Sequence, residues 1–187
     1  MAASAGTGKD VGAPAPSLEL PAAGGERRSL AEFRGRPVIV SFLGPANCQF
    51  CRGHVLKMVS AKDRIQRAGV EVIFVAYQDP ELMMSKMLRD LDLKFVLLLD
   101  RAREAYAKWG LETGTLKNLL KPGLVWAIAK VIASRQPSLG SAPPHHNQLG
   151  GDFVVDPRGN LVFVNRMRSV YDRADIDEML AAVKSVR

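Results

Sequence analysis

Three unbroken apolar runs constrain this chain more than any other feature: "VIVSFL" at residues 38–43, "VEVIFVAY" at 70–77 and "KFVLLLD" at 94–100. A strand with one wet face alternates apolar and polar side chains, so runs without alternation and rich in β-branched residues suit strands covered on both faces. Stretches of helical periodicity follow them. Residues 48–67 place Val55, Met58, Val59 and Ile65 at helical spacing, with Lys57, Lys62, Arg64 and Gln66 on much of the remaining surface and Gly69 as the stop. Asp79-Pro80 opens a second helix through Leu91 by an acidic cap and a first-turn proline. "RAREAYAKWG" reads as a third, ending on glycine. This alternation predicts parallel β-α-β units with right-handed crossovers.

The alternation then breaks. Residues 111–148 hold "LKNLLKPGLVWAIAKVIA", an amphipathic helical stretch, and "SRQPSLGSAPPHHNQ", a loop by composition. "GGDFVVDPRGNLVFVNR" reads as two strands joined by a turn over Asp156–Asn160, hence an antiparallel hairpin. "DRADIDEMLAAVKSV" closes the chain as an amphipathic helix with Ile176, Met179, Leu180 and Val183 inward. Ahead of the long strands, "SLELPA" reads as a short strand and "SLAEF" as one helical turn capped by Ser29. The order predicts an α/β, thioredoxin-like fold with an N-terminal extra strand and a helical insertion before the C-terminal hairpin. At 187 residues there is room for one core. The expected organisation is a flexible tail over residues 1–15 and a single domain over 16–187.

With 47% apolar and 24% charged residues the composition is globular. A net charge of +7 invites a nucleic-acid reading. The basic residues, Arg34, Lys62, Arg103 and Lys121 among them, are scattered between acidic and apolar neighbours, which describes a solvated surface rather than a phosphate-binding face, so no nucleic-acid partner is expected. The N-terminal "MAASAGTGKDVGAPAPS" has no apolar core and no run that could cross a bilayer, which predicts neither secretion nor a membrane span. Two cysteines exclude a multi-bridge secreted scaffold, and the expected location is the reducing cytoplasm.

Those cysteines, Cys48 and Cys51, stand in "GPANCQFCRGH", where the first long strand hands over to its helix. That position is the C-terminal edge of a parallel sheet, where catalytic groups collect. Unpaired N–H groups and the helix dipole there lower a thiol's pKa, and the thiolate is the nucleophile. Residues three apart in a helical turn also lie within disulfide range. A zinc site would have to combine the pair with His54 or with His145-His146, without a second Cys-x-x-Cys, and no metal is expected. Two buried, inert cysteines are the third reading, which Gly44, Pro45 and Asn47 beside the pair make less natural. His54, one turn beyond Cys51, is either a partly exposed helix residue or a proton carrier.

"APAPSLELP…SLAEFRGRPVIVSFLGPANCQFCR" resembles the opening of the alkyl hydroperoxide reductase/thiol-specific antioxidant (AhpC/TSA) group of the thioredoxin superfamily. "AYAKWGL", the insertion after it, and "NQLGGDFVVDPRGNLVFVNRMRSVYDRADIDEML" resemble its peroxiredoxin-like branch, which includes the prostamide/prostaglandin F synthase type. The resemblance implies a thiol-dependent reductase of a peroxide or endoperoxide, recycled by a thioredoxin- or glutathione-type donor and needing no cofactor. Aligning the peroxiredoxin motif puts Cys51 in the peroxidatic place and Cys48 where a Thr usually stands; thioredoxin logic reverses the roles. Four departures stand out. Pro45 lies one position closer to Cys51 than the motif has it, and Gly151 occupies the place before the hairpin strand where thioredoxins put a cis-proline. The family's arginine near that point is missing, and Asn165-Arg166-Met167-Arg168 replaces the branch's His-Arg-x-Arg.

The function expected is therefore a thiol oxidoreductase acting on a peroxide, endoperoxide or disulfide through Cys48 and Cys51, with Asn47, Arg52, His54, Gly151, Arg166 and Arg168 as supporting candidates. The alternative is a non-enzymatic redox-sensing or zinc-binding interaction module on the same fold. The insertion's Leu119, Leu120, Leu124, Val125, Trp126, Ile128, Val131 and Ile132 pack into the core or wall an apolar substrate pocket. Nothing in the pattern specifies an oligomeric state.

Overall fold

The computed structural model describes residues 10–84, 88, 95–111, 113, 148–169 and 172–185. The apolar runs become the strands of one five-stranded sheet. Its members are β3 (Val38–Phe42), β4 (Glu71–Ala76), β5 (Val96–Leu99), β6 (Gly151–Val155) and β7 (Leu161–Arg166), in the order β5-β4-β3-β6-β7. β3, β4 and β5 are parallel, while β6 runs antiparallel to both β3 and β7. Parallel order requires crossovers, and helices α1 (Gln49–Ser60) and α2 (Lys62–Arg67) carry the chain from β3 to β4. The continuous helix expected over 48–67 is broken at Ala61, whose ψ of 5° departs from helical values; Gly69 then turns the chain at φ 61°. Asp79 caps the next helix, α3 (Pro80–Leu82), by accepting from Glu81 N at 2.9 Å. The remainder of the helix expected through Leu91 lies largely outside the described residues, as does the insertion with the apolar residues expected to pack into the core or wall a substrate pocket.

Alternation along the strands sorts the side chains into two layers, which is why no strand reads as half polar. Ile39, Val72, Phe74, Leu97 and Val154 face α1, α2 and the closing helix α5 (Ile176–Lys184), where Val55, Met58, Ile65, Met179 and Val183 are buried. The inward residues of α5 are the four expected from its periodicity. Val38, Val40, Phe42, Ile73, Val75 and Phe153 face the other way, toward α4 (Glu104–Lys108). Tyr106 packs edge-on against Phe42 with ring centroids 4.9 Å apart, and Trp109 at the end of α4 lies tilted against Phe42 at 5.3 Å and edge-on against Phe153 at 4.9 Å. A bulge between Val154 and Val155 shifts the β6–β7 register before the turn. The Asp156 carboxylate closes that turn, accepting from Arg158 N and Asn160 N at 2.9 and 2.8 Å.

The front of the chain holds two strands rather than one. β1 (Glu19–Pro21) pairs antiparallel with β2 (Arg27–Ser29), outside the main sheet, and Ala23 N donates to Leu97 O of β5 at 2.9 Å. Arg27-Arg28-Ser29 lacks β-branched residues, so propensity gave no sign of a strand. Ser29 caps the turn Leu30–Phe33 as expected, with Glu32 reaching back to its N–H. Residues 10–15, expected within the mobile tail, are held to the hairpin by Gly12 N to Leu161 O at 2.7 Å and Ala15 N to Gly159 O at 2.9 Å.

Tyr106 ties the layers together: its buried hydroxyl lies 2.7 Å from Leu43 O and 2.9 Å from Val75 O, at the ends of β3 and β4. Replacing Tyr106 by Phe is expected to lower unfolding free energy by about 1–2 kcal/mol in urea titration, because Leu43 O loses a buried donor, while Val75 O keeps Leu43 N at 2.8 Å.

Candidate active site

The chain leaves β3 through Leu43, Gly44 and Pro45, and α1 begins four residues later. Cys48 is the N-cap residue of α1: its backbone is extended (φ −76°, ψ 107°) and its Sγ accepts from Cys51 N at 3.2 Å. Sulfur thus takes the place of the usual Ser or Asp oxygen at a helix start, where donors are unpaired. Cys51 follows in the first turn. Its side chain turns inward and is 1% exposed, whereas Cys48 is half-buried; both are free thiols. Sγ of Cys51 packs so closely on Gly44 that a Cβ there would stand 2.8 Å away.

The decisive neighbour comes from the segment before α5. The side chain of Arg173 is 8% exposed and brings Nη2 to 3.8 Å from Cys51 Sγ, while Nη1 donates to Phe42 O at 3.0 Å and to Asp152 Oδ1 at 3.2 Å. Asp152 is wholly buried on β6. Its Oδ1 also accepts from Ser41 Oγ at 2.7 Å and faces His54 Nε2 at 3.1 Å, and Oδ2 accepts from Ala174 N at 3.2 Å. The single Ser41 hydroxyl hydrogen is committed to the carboxylate, which can only accept; Nε2 of His54 therefore carries a hydrogen.

These contacts set the charges. The hydrogen bond from Cys48 lowers the Cys51 pKa to about 6, against the opposing effect of burial and with further help from Arg173 and the Gly44 backbone. The same shared hydrogen bond raises the Cys48 pKa, with burial and the neighbouring Cys51 charge acting in the same direction. Burial alone would push the Asp152 carboxyl up, but His54, Arg173 and Ser41 outweigh it and hold the group below the ordinary carboxylate range. Burial opposes the charge on Arg173 too, and Asp152 and Cys51 more than restore it. The arrangement favours a thiolate at the buried Cys51, with a buried guanidinium beside it and a protonated thiol at the half-buried Cys48 three residues earlier.

The sequence-derived candidates divide accordingly. Cys48, Cys51 and His54 come together, and His54 is 3% exposed rather than a partly exposed helix residue. Asn47 and Arg52 flank the thiols in the turn and first helical turn, both half-buried. Gly151 is the first residue of β6, paired with Phe42; it is Gly150 that stands before the strand beside Arg173. Arg166 points elsewhere, donating to Trp109 O at 2.8 Å and pairing with Asp10 at 2.6 Å, and Arg168 is exposed. Sequence reasoning missed Ser41, Asp152 and Arg173. The first two carried a signal, a lone polar residue inside each of two buried apolar strands; Arg173, in "YDRAD", carried none. Among the described residues no three His, Cys, Asp or Glu side chains gather as a metal site, and His145-His146 lie outside them. Clefts of about 250 and 470 Å³ lie along the front hairpin, away from both cysteines. No described helix is long and apolar enough to cross a membrane.

Two outcomes follow. Iodoacetamide labelling of Cys51, resolved by mass spectrometry, is expected to rise with pH through a midpoint near 6, where the thiolate forms, while Cys48 stays unlabelled through neutral pH. Gly150→Ala would place a Cβ 2.1 Å from Phe42 O and 2.8 Å from Arg173 Nη2. It is expected to cost more than about 2 kcal/mol in urea unfolding and to move the Cys51 midpoint upward.

The chain is 30% identical over 99 residues to the peroxiredoxin Bcp of Escherichia coli K12, covering 51% of this chain and 63% of that protein. It is 28% identical over 100 residues to the thiol-disulfide oxidoreductase ResA of Geobacillus thermodenitrificans, covering 54% and 57%. The chain spans about 60% of the length of the curated relatives it matches. In fold it is similar to the peroxidoxin BcpB crystal structure from Mycobacterium tuberculosis, with a TM-score of 0.66 at 18% identity over 95% of this chain and 98% of that one. The AhpC/TSA family model matches residues 11–164, and the chain belongs to that family.

Proposed function

We propose that the chain is a thiol-dependent peroxidase in which Cys51 attacks the peroxide and Cys48 resolves the product. The reading rests on one observation: the Cys51 sulfur, 1% exposed, is stabilised as a thiolate by the Cys48 thiol and by a guanidinium 3.8 Å away. The thiolate attacks one oxygen of the O–O bond; an S–O bond forms, the O–O bond breaks, and the leaving alkoxide takes a proton from solvent to depart as an alcohol or water. Sulfur has lost two electrons to the peroxide: a hydroperoxide leaves it as a sulfenic acid, and an endoperoxide as a sulfenate ester whose alkoxy group departs as an alcohol in place of water in the next step. The Cys48 thiol then attacks that sulfur, forming the disulfide and releasing water. An external dithiol of the thioredoxin or glutathione type reduces the disulfide and is itself oxidised.

Burial supports a small hydroperoxide or endoperoxide over a protein disulfide as the oxidant, because a bulky disulfide would have to open the site to reach Cys51. The more exposed Cys48 is the sulfur a protein reductant can reach in the return step. Nε of Arg173, buried and without a partner among the described residues, is a donor that a peroxide oxygen could use. The reducing cytoplasm expected from the cysteine count fits an enzyme that must be returned to two thiols.

Stopped-flow mixing with hydrogen peroxide and with an organic hydroperoxide tests the reading. Cys51→Ser is expected to abolish peroxide consumption, and Cys48→Ser to consume one equivalent, accumulate sulfenic acid and then stop. Peroxide consumption unaffected by Cys51→Ser sinks the assignment.

A further inference from the structure

We propose that Asp152 is a positioning residue for Cys51: its carboxylate holds the Arg173 guanidinium against the sulfur, and Ser41 and His54 hold the carboxylate. The inference rests on the reading of Cys51 as the attacking sulfur and names what keeps it reactive. Four segments supply the parts, β3 (Ser41), α1 (His54), β6 (Asp152) and the turn before α5 (Arg173), and all four side chains are buried.

A strand that needed only packing would carry an apolar residue at 152, as at Phe153, Val154 and Val155 beside it. Burying a carboxylate costs several kcal/mol unless its oxygens are filled by donors. Here Oδ1 meets Ser41 Oγ, His54 Nε2 and Arg173 Nη1 at 2.7, 3.1 and 3.2 Å, and Oδ2 takes Ala174 N at 3.2 Å. That last bond fixes the backbone one residue after Arg173, so the same carboxylate grips both the guanidinium and the chain that carries it. Phe42 O takes the other hydrogen of Nη1 at 3.0 Å, which leaves Nη2 directed at Cys51. His54 and Ser41 also face each other, at 3.3 Å, closing the back of the site.

The sign of one measurement separates positioning from a simple field effect. A negative carboxylate near a thiolate repels it, so removing Asp152 acts through its own charge to make Cys51 easier to ionise. If Asp152 acts through Arg173, removing it makes Cys51 harder to ionise. The other ionisable groups facing Cys51 are Cys48 on its own helix and Tyr77 and Tyr106, whose phenols burial keeps neutral.

The experiment is site-resolved iodoacetamide labelling of Cys51 against pH on the parent, Asp152→Asn, Arg173→Met and the double variant, each first shown folded by circular dichroism. Asp152→Asn and Arg173→Met are each expected to raise the midpoint by about one pH unit or more, with no further rise in the double variant. A midpoint lowered or unchanged by Asp152→Asn while Arg173→Met raises it overturns the positioning role and leaves the proposed function standing. An unchanged midpoint in Arg173→Met overturns the positioning role as well, and the peroxidase reading then stands or falls on peroxide consumption alone. The expected pattern in a protein that consumes no peroxide upholds the positioning role and overturns the peroxidase reading. Should Asp152→Asn not fold, Ser41→Ala removes one donor to the same oxygen and is expected to give a smaller rise; no rise there counts against the proposal.

Discussion

Strand β3 is covered on both faces and paired on both edges, and nearly everything else in the molecule is arranged around that confinement. Its residues are all buried, so each face must be filled by side chains from helices or the front hairpin and each backbone group must find a partner in β4 or β6. Its C-terminal end is where the confinement is relieved. There Phe42 O and Leu43 O take their hydrogen bonds from side chains, those of Arg173 and Tyr106, and the chain turns through Gly44 into α1. The thiols stand at that end because the helix crossing to β4 has to start there.

A second constraint follows from the first. Polar groups on strands buried this deeply must satisfy one another, since water does not reach them. Ser41 on β3 and Asp152 on β6 lie directly opposite in the register, and the pair they form is completed by His54 from above and Arg173 from the side. The positive charge of Arg173 is held in the interior by one fixed carboxylate and one sulfur that carries charge only as a thiolate. Removal of either anion leaves a buried cation less well compensated, which couples the ionisation of Cys51 to the geometry of its support.

Much of this was readable beforehand, and the failures share a cause. The long apolar runs, the closing helix with Ile176, Met179, Leu180 and Val183 inward, and the Ser29 cap depend on periodicity and local hydrogen bonding, which a sequence displays directly. The β1–β2 pairing was not readable in Arg27-Arg28-Ser29, because it comes from contact with the edge of β5 rather than from strand propensity. Arg166 looked suited to the site from its place near the end of the last strand, yet it is occupied by Asp10 and the carbonyl of Trp109. Gly151 looked like the residue before the strand, but the bond network starts one residue earlier, at Gly150, where no Cβ fits against Phe42 O.

By itself the sequence determined the β-α-β start, the hairpin and closing helix, and the placing of two cysteines at a helix N-terminus, since these follow from the spacing of residues near one another in the chain. Which cation faces the sulfur was decided only by the tertiary structure. Cys51 and Arg173 are separated by most of the chain, and what joins them is a parallel-antiparallel sheet that brings β6 beside β3 and returns the segment before α5 over their ends. Pairing across a sheet depends on register and layer, which no local pattern records.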